Sequence, residues 1–464
     1  MSTLQKMEFD AVVVGAGTAG SAAAWQLASK GLRVALLEVR RPDAAGPRWV
    51  NAVPPWMFDR AGVARPEPPE LHSRDCRCST LGPNGLGRVT LEPGPVWLVD
   101  VRRLTARLQG LAFRAGVTVF GHAGLRDLRI VGGRPAALRA DLEPGRHHAR
   151  ILELSARLFV DATGIRGALR QMVRELDRHC PPVPPMHVCA AAQEVCEVAD
   201  REGALAFLER ERGRPGEALS RTGVDGGFST ATVTVHEDLN SVELLTGSIA
   251  GGWYRAGWQL MRELKAREPW IGRRCFGGAG AIPLRRPYDR LAAPGIALVG
   301  DSGCQVFPAH GSGTGSGMIA ARMLADAVAH AADIGSLEAT WTYQARFQRE
   351  IGSVHAAYDV IRRAVQREPG ESLEALLDAG AIGEATTRAA LEQRLPPASP
   401  VELVRIALAG LRSPLLVGRF ARRLALMAPV SALYRRYPLR PDLDGLRRWS
   451  HAAAWLFNEP PDVV

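Results

Sequence analysis

Three glycines near the N-terminus have the spacing of a phosphate-binding turn. Gly15, Gly17 and Gly20 follow the apolar run 11–14 and precede an alanine-rich segment typical of a helix. In such a turn the first glycine permits a tight bend, the second lets a pyrophosphate approach the backbone, and the third lets helix and strand pack closely. The helix N-terminus offers unpaired N–H groups and partial positive charge to the phosphates. This spacing predicts a dinucleotide site.

An acidic residue completes the pattern. Residues 34–37 form a second apolar run, and Glu38 follows them, where a carboxylate would accept hydrogen bonds from a ribose. The sequence therefore predicts a βαβ unit with strands at 11–14 and 34–37 and a helix at about 21–29; a purely structural βαβ turn is the alternative. The residues predicted to contact the dinucleotide are Gly15, Gly17, Thr18, Ala19, Gly20, Glu38 and Val39.

Two later stretches place an acid and small residues after an apolar run. The first is Asp161-Ala162-Thr163-Gly164, whose small residues let the backbone pass close to another group, although a tight turn alone also explains them. The second contains Gly300 and Asp301, followed by a glycine-rich helix start at 311–317. That arrangement can hold a polyol chain at Asp301 and stabilise negative charge on a ring edge at the helix N-terminus.

Aromatic side chains mark candidate walls of a substrate site. Trp49 and Trp56 lie in a segment without a regular pattern, where they suit a wall beside a flat ligand; a loop pinned by aromatic packing is the alternative. Residues 186–283 have mostly the pattern of strands, and their most aromatic patch holds Trp253 and Tyr254. These four residues are the predicted substrate contacts, and the strand-rich block is a candidate substrate domain.

The order of these elements predicts an α/β fold, α+β overall. It comprises a Rossmann-like nucleotide-binding domain, an inserted β-sheet substrate domain and a C-terminal helical region. The nucleotide-binding domain is predicted at residues 1–70, 96–180 and 284–335, the substrate domain at 71–95 and 181–283, and the helical region at 336–464.

Charge and composition limit the classes of partner that the sequence predicts. The formal net charge is +10 over 464 residues, and nearly all the basic residues are arginines. The sequence has no basic tract interleaved with aromatic residues, so no nucleic-acid partner is predicted. Residues 401–436 are apolar with scattered arginines, which suits basic amphipathic helices in peripheral contact with a membrane. Helices packed against the core with their arginines in water are the alternative.

Other features point to a reduced intracellular compartment. The seven cysteines are scattered, the N-terminus lacks a signal-like apolar core, and no apolar run is long enough to span a bilayer. We therefore expect a cytoplasmic protein, with membrane-peripheral attachment as an option. His147 and His148 stand together without a nearby third ligand, and no metal centre is predicted.

Taken in order, the three glycine-bearing stretches resemble a flavoprotein superfamily that includes geranylgeranyl reductases and p-hydroxybenzoate hydroxylase-type monooxygenases. The resemblance covers about residues 8–335 and is strongest to the geranylgeranyl reductase group. In that group a strand ending in Gly-Asp leads to a Pro-x-x-Gly-x-Gly turn, here 308–313, and an Ile-Pro-Leu-type segment lies upstream, here 282–284. The resemblance implies FAD as the cofactor and a substrate sheet that covers its isoalloxazine ring.

The resemblance also implies roles for single residues. The N-terminal glycines would face the pyrophosphate, Glu38 the adenosine ribose, and Arg102 the phosphates or the ribityl chain. His310 is the candidate proton donor near the flavin; a packing role is the alternative. The FAD contacts implied in the later stretches are Gly164, Asp301, Pro308, Gly311, Ser312, Gly313 and Thr314.

The sequence departs from the superfamily patterns at three points. Ser312 stands where the reductases usually carry glutamate. The Trp-x-Trp-x-Ile-Pro motif of the halogenases is absent, which disfavours halogenation. The Asp-Gly pair with which the monooxygenases dock NADPH is replaced by residues 161–164, which weakens the case for direct use of NADPH.

The functional prediction is an FAD-dependent oxidoreductase that acts on an apolar or aromatic small molecule. It would transfer a hydride to a C=C bond, as the geranylgeranyl reductases do, or carry out flavin-mediated hydroxylation. NAD(P)H is a candidate electron donor. The alternatives are a non-redox, flavin-assisted cyclase or isomerase and a membrane-surface flavoprotein without catalysis of its own.

Overall fold

The structure is a computed structural model that describes residues 4–142, 150–249, 251, 254–397 and 399–463. Within these ranges the chain forms twenty β-strands and fourteen α-helices. The strands are β1 (Leu4–Glu8), β2 (Ala11–Val14), β3 (Val34–Leu37), β4 (Val50–Val53), β5 (Leu71–Ser73), β6 (Cys78–Leu81), β7 (Arg88–Leu91), β8 (Trp97–Asp100), β9 (Thr118–Phe120), β10 (Ala123–Val131), β11 (Arg134–Leu142), β12 (Arg150–Ser155), β13 (Leu158–Asp161), β14 (Val188–Val198), β15 (Ala218–Thr222), β16 (Ser229–Val235), β17 (Ser241–Ile249), β18 (Ile271–Pro283), β19 (Ala292–Ala293) and β20 (Ile296–Leu298).

The helices lie between these strands and fill the C-terminal part of the chain. They are α1 (Thr18–Ala28), α2 (Pro55–Ala61), α3 (Val101–Arg114), α4 (Arg174–His179), α5 (Arg201–Arg210), α6 (Gly257–Arg267), α7 (Thr314–Val328), α8 (Leu337–Phe347), α9 (Ser353–Val365), α10 (Gly370–Asp378), α11 (Glu384–Leu391), α12 (Pro400–Arg412), α13 (Pro414–Arg435) and α14 (Leu443–Phe457).

A six-stranded sheet in the order β19-β20-β13-β2-β3-β9 forms the nucleotide-binding part. All its strands are parallel except β19. Every residue of β2 and β3 is buried, because both faces of a parallel sheet are covered, and this explains their uninterrupted apolar runs. The strands predicted at 11–14 and 34–37 are confirmed to the residue. The helix between them begins earlier than predicted, at Thr18.

The register of this sheet brings the three glycine-bearing stretches to one edge. Val14 of β2 pairs with Leu37 of β3 and with Asp161 of β13, and Asp161 pairs in turn with Leu298 of β20. The four strands run parallel, so the segments that follow them leave the sheet side by side. Ligands of open α/β sheets bind at this carboxyl edge.

A seven-stranded sheet in the order β18-β14-β17-β16-β15-β6-β7 forms a second layer. Helices α5 and α6 cover one face, where an apolar cluster includes Phe207 and Met261. The opposite face meets the nucleotide-binding part, with Trp49 against β18 and Arg102 stacked on Phe276. The middle of the chain thus builds a sheet whose free face is turned towards the cofactor part.

The sheets support the predicted division into three parts with one change. β6 and β7 join the seven-stranded sheet, as a segment of the substrate domain should. β5 instead pairs with β8 in a three-stranded sheet, β4-β8-β5. We therefore propose the predicted domains with residues 71–73 moved to the nucleotide-binding domain.

The C-terminal part of the described chain is helical, as predicted. This part begins with α8, a π-helical turn at Gln348–Gly352 and α9, which follow one another without a break. α9 packs against α13. Of the helices in the described ranges, none is both long and apolar enough to cross a membrane.

A matched pair of glycine variants tests the close packing at the sheet edge. Gly15 and Gly31 both have positive φ, +102° and +84°, so alanine strains the backbone at either position. A Cβ at Gly15 would also lie 2.2 Å from the carbonyl oxygen of Ala162, whereas a Cβ at Gly31 meets nothing within 4 Å. We expect Gly31→Ala to lower the free energy of unfolding by about 1 kcal/mol.

Gly15→Ala should cost at least about twice as much as Gly31→Ala, since overpacking alone costs about 1–3 kcal/mol. Urea unfolding of both variants and their FAD content after purification provide the measurement. Equal losses of stability in the two variants would show that the contact with Ala162 is loose.

Candidate flavin-binding and active site

Two helices begin on glycines and leave their first N–H groups available. α1 begins after Gly17 and α7 after Gly313, and neither has a side-chain cap or an acidic residue in its first turn. Four other helices, α3, α5, α8 and α14, are capped by the side chains of Asp100, Asp200, Ser336 and Asp442. The uncapped ends of α1 and α7 can bind anionic groups through their N–H groups and helix dipoles.

The buried carboxylate of Glu38 is fixed beside the glycine turn. Its Oε2 accepts a hydrogen bond from the backbone N–H of Ala16 at 2.9 Å, and its Oε1 accepts one from the N–H of Arg40 at 3.2 Å. Val39 follows with 57% of its surface exposed. A carboxylate next to an uncovered apolar side chain suits a ribose and the adenine ring attached to it.

The glycine turn is in direct contact with the second predicted stretch. A Cβ at Gly20 would lie 3.0 Å from the Cβ of Ala162 and 1.8 Å from the carbonyl oxygen of Gly15. The small residues at 162–164 therefore let this loop pass the glycine turn itself. Gly164 has positive φ, +72°, and the space beside it is open.

Asp161 holds the loop in shape. Its carboxylate accepts hydrogen bonds from the N–H and Oγ1 of Thr163, at 3.0 and 2.7 Å, and from the N–H of Arg170 at 2.7 Å. Burial raises the pKa of Asp161 despite these bonds. This residue therefore has a structural role, and it is saturated by partners within the loop.

Asp301 behaves differently, because its carboxylate has no hydrogen-bond partner among the residues that the structure describes. The side chain lies at the start of α7, with Oδ1 3.2 Å from a Cβ placed on Gly313. Burial raises its pKa to about 6. An unpartnered acceptor between the sheet edge and a helix N-terminus suits the hydroxyl groups of a ribityl chain, so the residues present fit FAD.

The turn before α7 is anchored to distant parts of the chain. Phe307 and Ser312 form a β-bridge, and Ser312 Oγ donates to Asn51 Oδ1 at 2.8 Å. Gly311 has positive φ, +74°, and a Cβ there would come within 3.7 Å of Ile282. Pro308 is buried, as is Thr314. Asn51 was missed by the sequence analysis, because nothing local distinguishes it.

His310 packs against Phe307, with ring centroids 4.8 Å apart. Its own surface is open to the space in front of the turn, while desolvation by the surrounding protein lowers its pKa to about 4. The imidazole is therefore neutral at pH 7 and holds no imidazolium proton. Its role as proton donor stays a prediction.

Arg102 is held at the junction between α3 and the seven-stranded sheet. Its Nε and Nη2 donate to the carboxylate of Asp100 at 3.1 and 2.7 Å, and its guanidinium lies 3.3 Å from the centroid of the Phe276 ring. Thr105 and Gln109, which lie further along α3, contact the glycine turn instead. Thr105 Oγ1 lies 2.8 Å from Thr18 Oγ1, and Gln109 Nε2 donates to the carbonyl of Ala16.

Thr105 and Gln109 were missed by the sequence analysis, although their spacing from Arg102 puts all three on one helix face. A polar stripe at that spacing, opposite the leucine face of α3, was the available signal.

The predicted substrate contacts are separated in the structure. Trp49 lies over Gly280, with a ring atom 3.3 Å from the Cβ position, and packs on an apolar cluster that includes Ile282. The Trp56 indole N–H instead donates to the carbonyl of Glu392, which is the packing alternative. Tyr254 packs against two glycines of the loop after β15, Gly226 and Gly227. Trp253 lies outside the described residues.

A trough of small residues crosses the sheet face beneath Trp49. Ala191 on β14 pairs with Gly247 on β17 and with Gly280 on β18. Gly278, two residues before Gly280 on the same face, has no atom within 4 Å of a Cβ position. β18 continues to Ile282, which contacts the turn at Gly311. The trough therefore leads to the glycine-rich turn before α7.

Comparison with known proteins agrees with this geometry. A family model described as FAD dependent oxidoreductase matches residues 10–57. The digeranylgeranylglycerophospholipid reductase of Sulfolobus acidocaldarius is 23% identical over 464 aligned residues, which cover 94% of this chain and 95% of the relative.

Among solved structures, a geranylgeranyl bacteriochlorophyll reductase-like protein from Thermoplasma acidophilum superposes with a TM-score of 0.70 at 15% identity, over 90% of this chain and 100% of that one. A myxobacterial chondrochloren halogenase, a variant of FAD-dependent halogenases, superposes with a TM-score of 0.57 at 18% identity, over 95% and 99%.

These findings confirm the α/β flavoprotein fold and FAD as the cofactor. The predicted resemblance to the geranylgeranyl reductase and hydroxylase-type superfamily is confirmed as well. The protein is an FAD-dependent oxidoreductase. The roles of the individual site residues remain our proposals.

The protonation of Asp301 predicts a pH dependence of FAD binding. Ribityl hydroxyls donate to the carboxylate, so FAD affinity should fall as the pH drops below about 6, where the carboxyl of the apo-protein takes up a proton. In the apo-protein the sign is opposite: the buried charge costs stability above about pH 6, and this cost is absent below the unfolded pKa of about 3.9.

Asp301→Asn should weaken FAD binding at pH 8 and remove most of the dependence between pH 5 and 8. Quenching of FAD fluorescence by the apo-protein measures both, with the exposed Asp444→Asn as the matched control. A wild-type FAD affinity that does not change through pH 6 would show that Asp301 does not bind the cofactor.

Proposed function

We propose that the protein transfers a hydride from reduced FAD to a C=C bond of a long apolar chain of the isoprenoid type. The sequence relative and the structural neighbour with the higher TM-score are named for reductases of geranylgeranyl groups. Reduction of the flavin by NAD(P)H is part of the proposal. Hydroxylation by the same flavin is the competing activity, and the experiment below distinguishes the two.

The observation that carries this proposal is the trough beside the flavin turn. Its floor, Gly247, Ala191 and Gly280, lacks side chains beyond Cβ, and its walls are apolar: Trp49, Phe228, Ile249 and Ile282 belong to one cluster. Such an apolar strip suits a long, thin, apolar chain and would keep water from it. A compact aromatic substrate would leave much of the trough unfilled.

The residues of the chain position and polarise the substrate and the flavin, while bound FAD supplies the hydride. The uncapped N-terminus of α7 would stabilise negative charge on the edge of a bound, reduced flavin ring. The trough would hold a double bond close to the Gly311 turn, whose residues fit the cofactor. His310, at the same turn, would relay a proton from water to the second carbon, because its ring is neutral and can take up one proton as it releases another.

A single-turnover experiment with an obstructed trough tests the function. Reduced enzyme is mixed without O2 with geranylgeranyl-bearing lipid, and flavin reoxidation is followed by absorbance together with the saturated product. Wild-type enzyme should reoxidise. Gly278→Leu should slow this step at least tenfold for a C20 chain and less for a C5 chain, since its side chain enters open space in the trough.

Ala279→Leu is the matched control, because Ala279 is exposed on the opposite face of the same strand. It should leave the rate unchanged. Reoxidation only after O2 is admitted, with an oxygenated product, would replace reduction by hydroxylation. Turnover without consumption of reductant would identify the non-redox alternative.

We further propose that an apolar face of α12 and the start of α13 lies on an anionic membrane surface, where such a substrate resides. Large aliphatic side chains project here into solvent; Leu411 and Leu415 are 80% and 85% exposed. The exposed residues are Val401, Leu403, Val404, Leu408, Leu411 and Leu415, flanked by the exposed Arg412, Arg419, Arg422 and Arg423. Apolar insertion with arginines at the lipid headgroups is the pattern of an interfacial helix.

Liposome sedimentation tests this surface. The wild type should bind vesicles rich in anionic lipid, and added salt should weaken the binding. The double variant Leu411→Glu/Leu415→Glu should lose most of it, while Leu86→Glu, at an equally exposed leucine in the turn between β6 and β7, should not. Binding that survives the double variant would refute the assignment.

A further inference from the structure

Three side chains from separate elements converge at a point that the flavin site does not use. His72 lies on β5, Glu243 on β17, and His236 directly after β16. His72 Nδ1 lies 2.6 Å and His236 Nε2 3.0 Å from the same carboxylate oxygen, Glu243 Oε1. One ligand atom from each residue lies within 4.8 Å of the other two.

The charge balance of this cluster is incomplete. The Glu243 side chain is 6% exposed, and the two imidazoles are its only ion-pair partners in the described part of the chain. No arginine or lysine there neutralises it. A buried carboxylate whose contacts are two imidazoles provides the donor set that a divalent cation of the zinc type takes up.

The distances also suit a small rearrangement around an ion. Bonds of about 2.0–2.2 Å in tetrahedral geometry separate neighbouring ligand atoms by about 3.3 Å. The two nitrogen–oxygen separations would therefore widen by less than about 1 Å. The histidine side chains are 17% and 26% exposed, so an ion can enter and a water or external ligand can complete the coordination.

A second carboxylate stands behind one of the histidines. His72 Nε2, the ring nitrogen that does not face Glu243, lies 3.9 Å from Asp100 Oδ2. Metal-bound histidines commonly direct their second ring nitrogen at a carboxylate, which fixes the ring and makes it a stronger ligand. Asp100 is itself held rigidly by Arg102 and by its cap of α3.

We propose that His72, His236 and Glu243 form a binding site for a divalent transition-metal ion such as Zn²⁺, with one coordination position open. The sequence analysis expected no metal centre. His72 belongs to the three-stranded sheet and the other two ligands to the seven-stranded sheet, so the ion joins the cofactor part of the molecule to the substrate sheet.

Metal binding to the tag-free, FAD-loaded protein tests the site. The background carries Cys275→Ser, which removes an exposed thiol, and alanines at His147 and His148, whose side chains could bind metal independently. Equilibrium dialysis should find one equivalent of Zn²⁺. Co²⁺ should give the intense visible absorption of a tetrahedral site, and either ion should raise the melting temperature.

Glu243→Gln and His236→Ala should each weaken binding at least tenfold and abolish the Co²⁺ spectrum, whereas His451→Ala, at an exposed histidine of α14, should not. FAD content and circular dichroism establish that each variant is folded. If Glu243→Gln does not fold, His236→Ala and His236→Asn decide. Absence of stoichiometric metal in the background protein, or binding retained in folded ligand variants, overturns the proposal.

Discussion

The proposed FAD site depends on one close approach, that of the loop after β13 to the glycine turn after β2. Backbone passes backbone there with no room for a Cβ at Gly15 or Gly20, and Ala162 lies next to both glycines. This contact sets the angle at which α1 leaves the sheet, and with it the direction of its free N–H groups. Asp161, which is fully occupied within its loop, keeps the partner surface rigid.

At the carboxyl edge of the six-stranded sheet, different loops supply different groups to the proposed FAD site. The loop after β3 supplies a fixed carboxylate, and the loop after β20 supplies an unpartnered one. The helix ends of α1 and α7 supply positive potential at two points, which matches a cofactor with a pyrophosphate in its middle and a reducible ring at one end. The seven-stranded sheet then contributes a face on which the small residues Ala191, Gly247 and Gly280 lie side by side.

Local patterns in the sequence were sufficient for the parts of this site that are built locally. β2 and β3 are continuous apolar runs because they are covered on both faces, and Gly15 and Glu38 directly follow their ends. The match of Asn51 to Ser312 could not be predicted, because 261 residues separate them and either residue is ordinary in its own segment. The position of Trp49 over Gly280 depends in the same way on the packing of two sheets.

One predicted boundary differs from the structure, and the roles of two predicted aromatic contacts stay predictions. β5 is only three residues long, so its alternation could not show which sheet it joins, and it pairs with β8. Trp56 and Tyr254 were selected for their aromatic rings, yet a half-buried ring is as useful for packing as for binding a ligand. The spacing of polar residues on α3 also carries information, because Thr105 and Gln109 lie on the face that contacts the glycine turn.

The order of strands in the six-stranded sheet has a consequence for synthesis on the ribosome. β2 and β3 emerge early, but β13, which pairs with the free edge of β2, begins only at residue 158, and β20, which pairs with β13, begins only at residue 296. At about 5–20 residues per second, an apolar strand edge waits tens of seconds for its last partner. During that interval the nascent chain presents an unpaired edge, which is the kind of surface that can pair with other chains and aggregate.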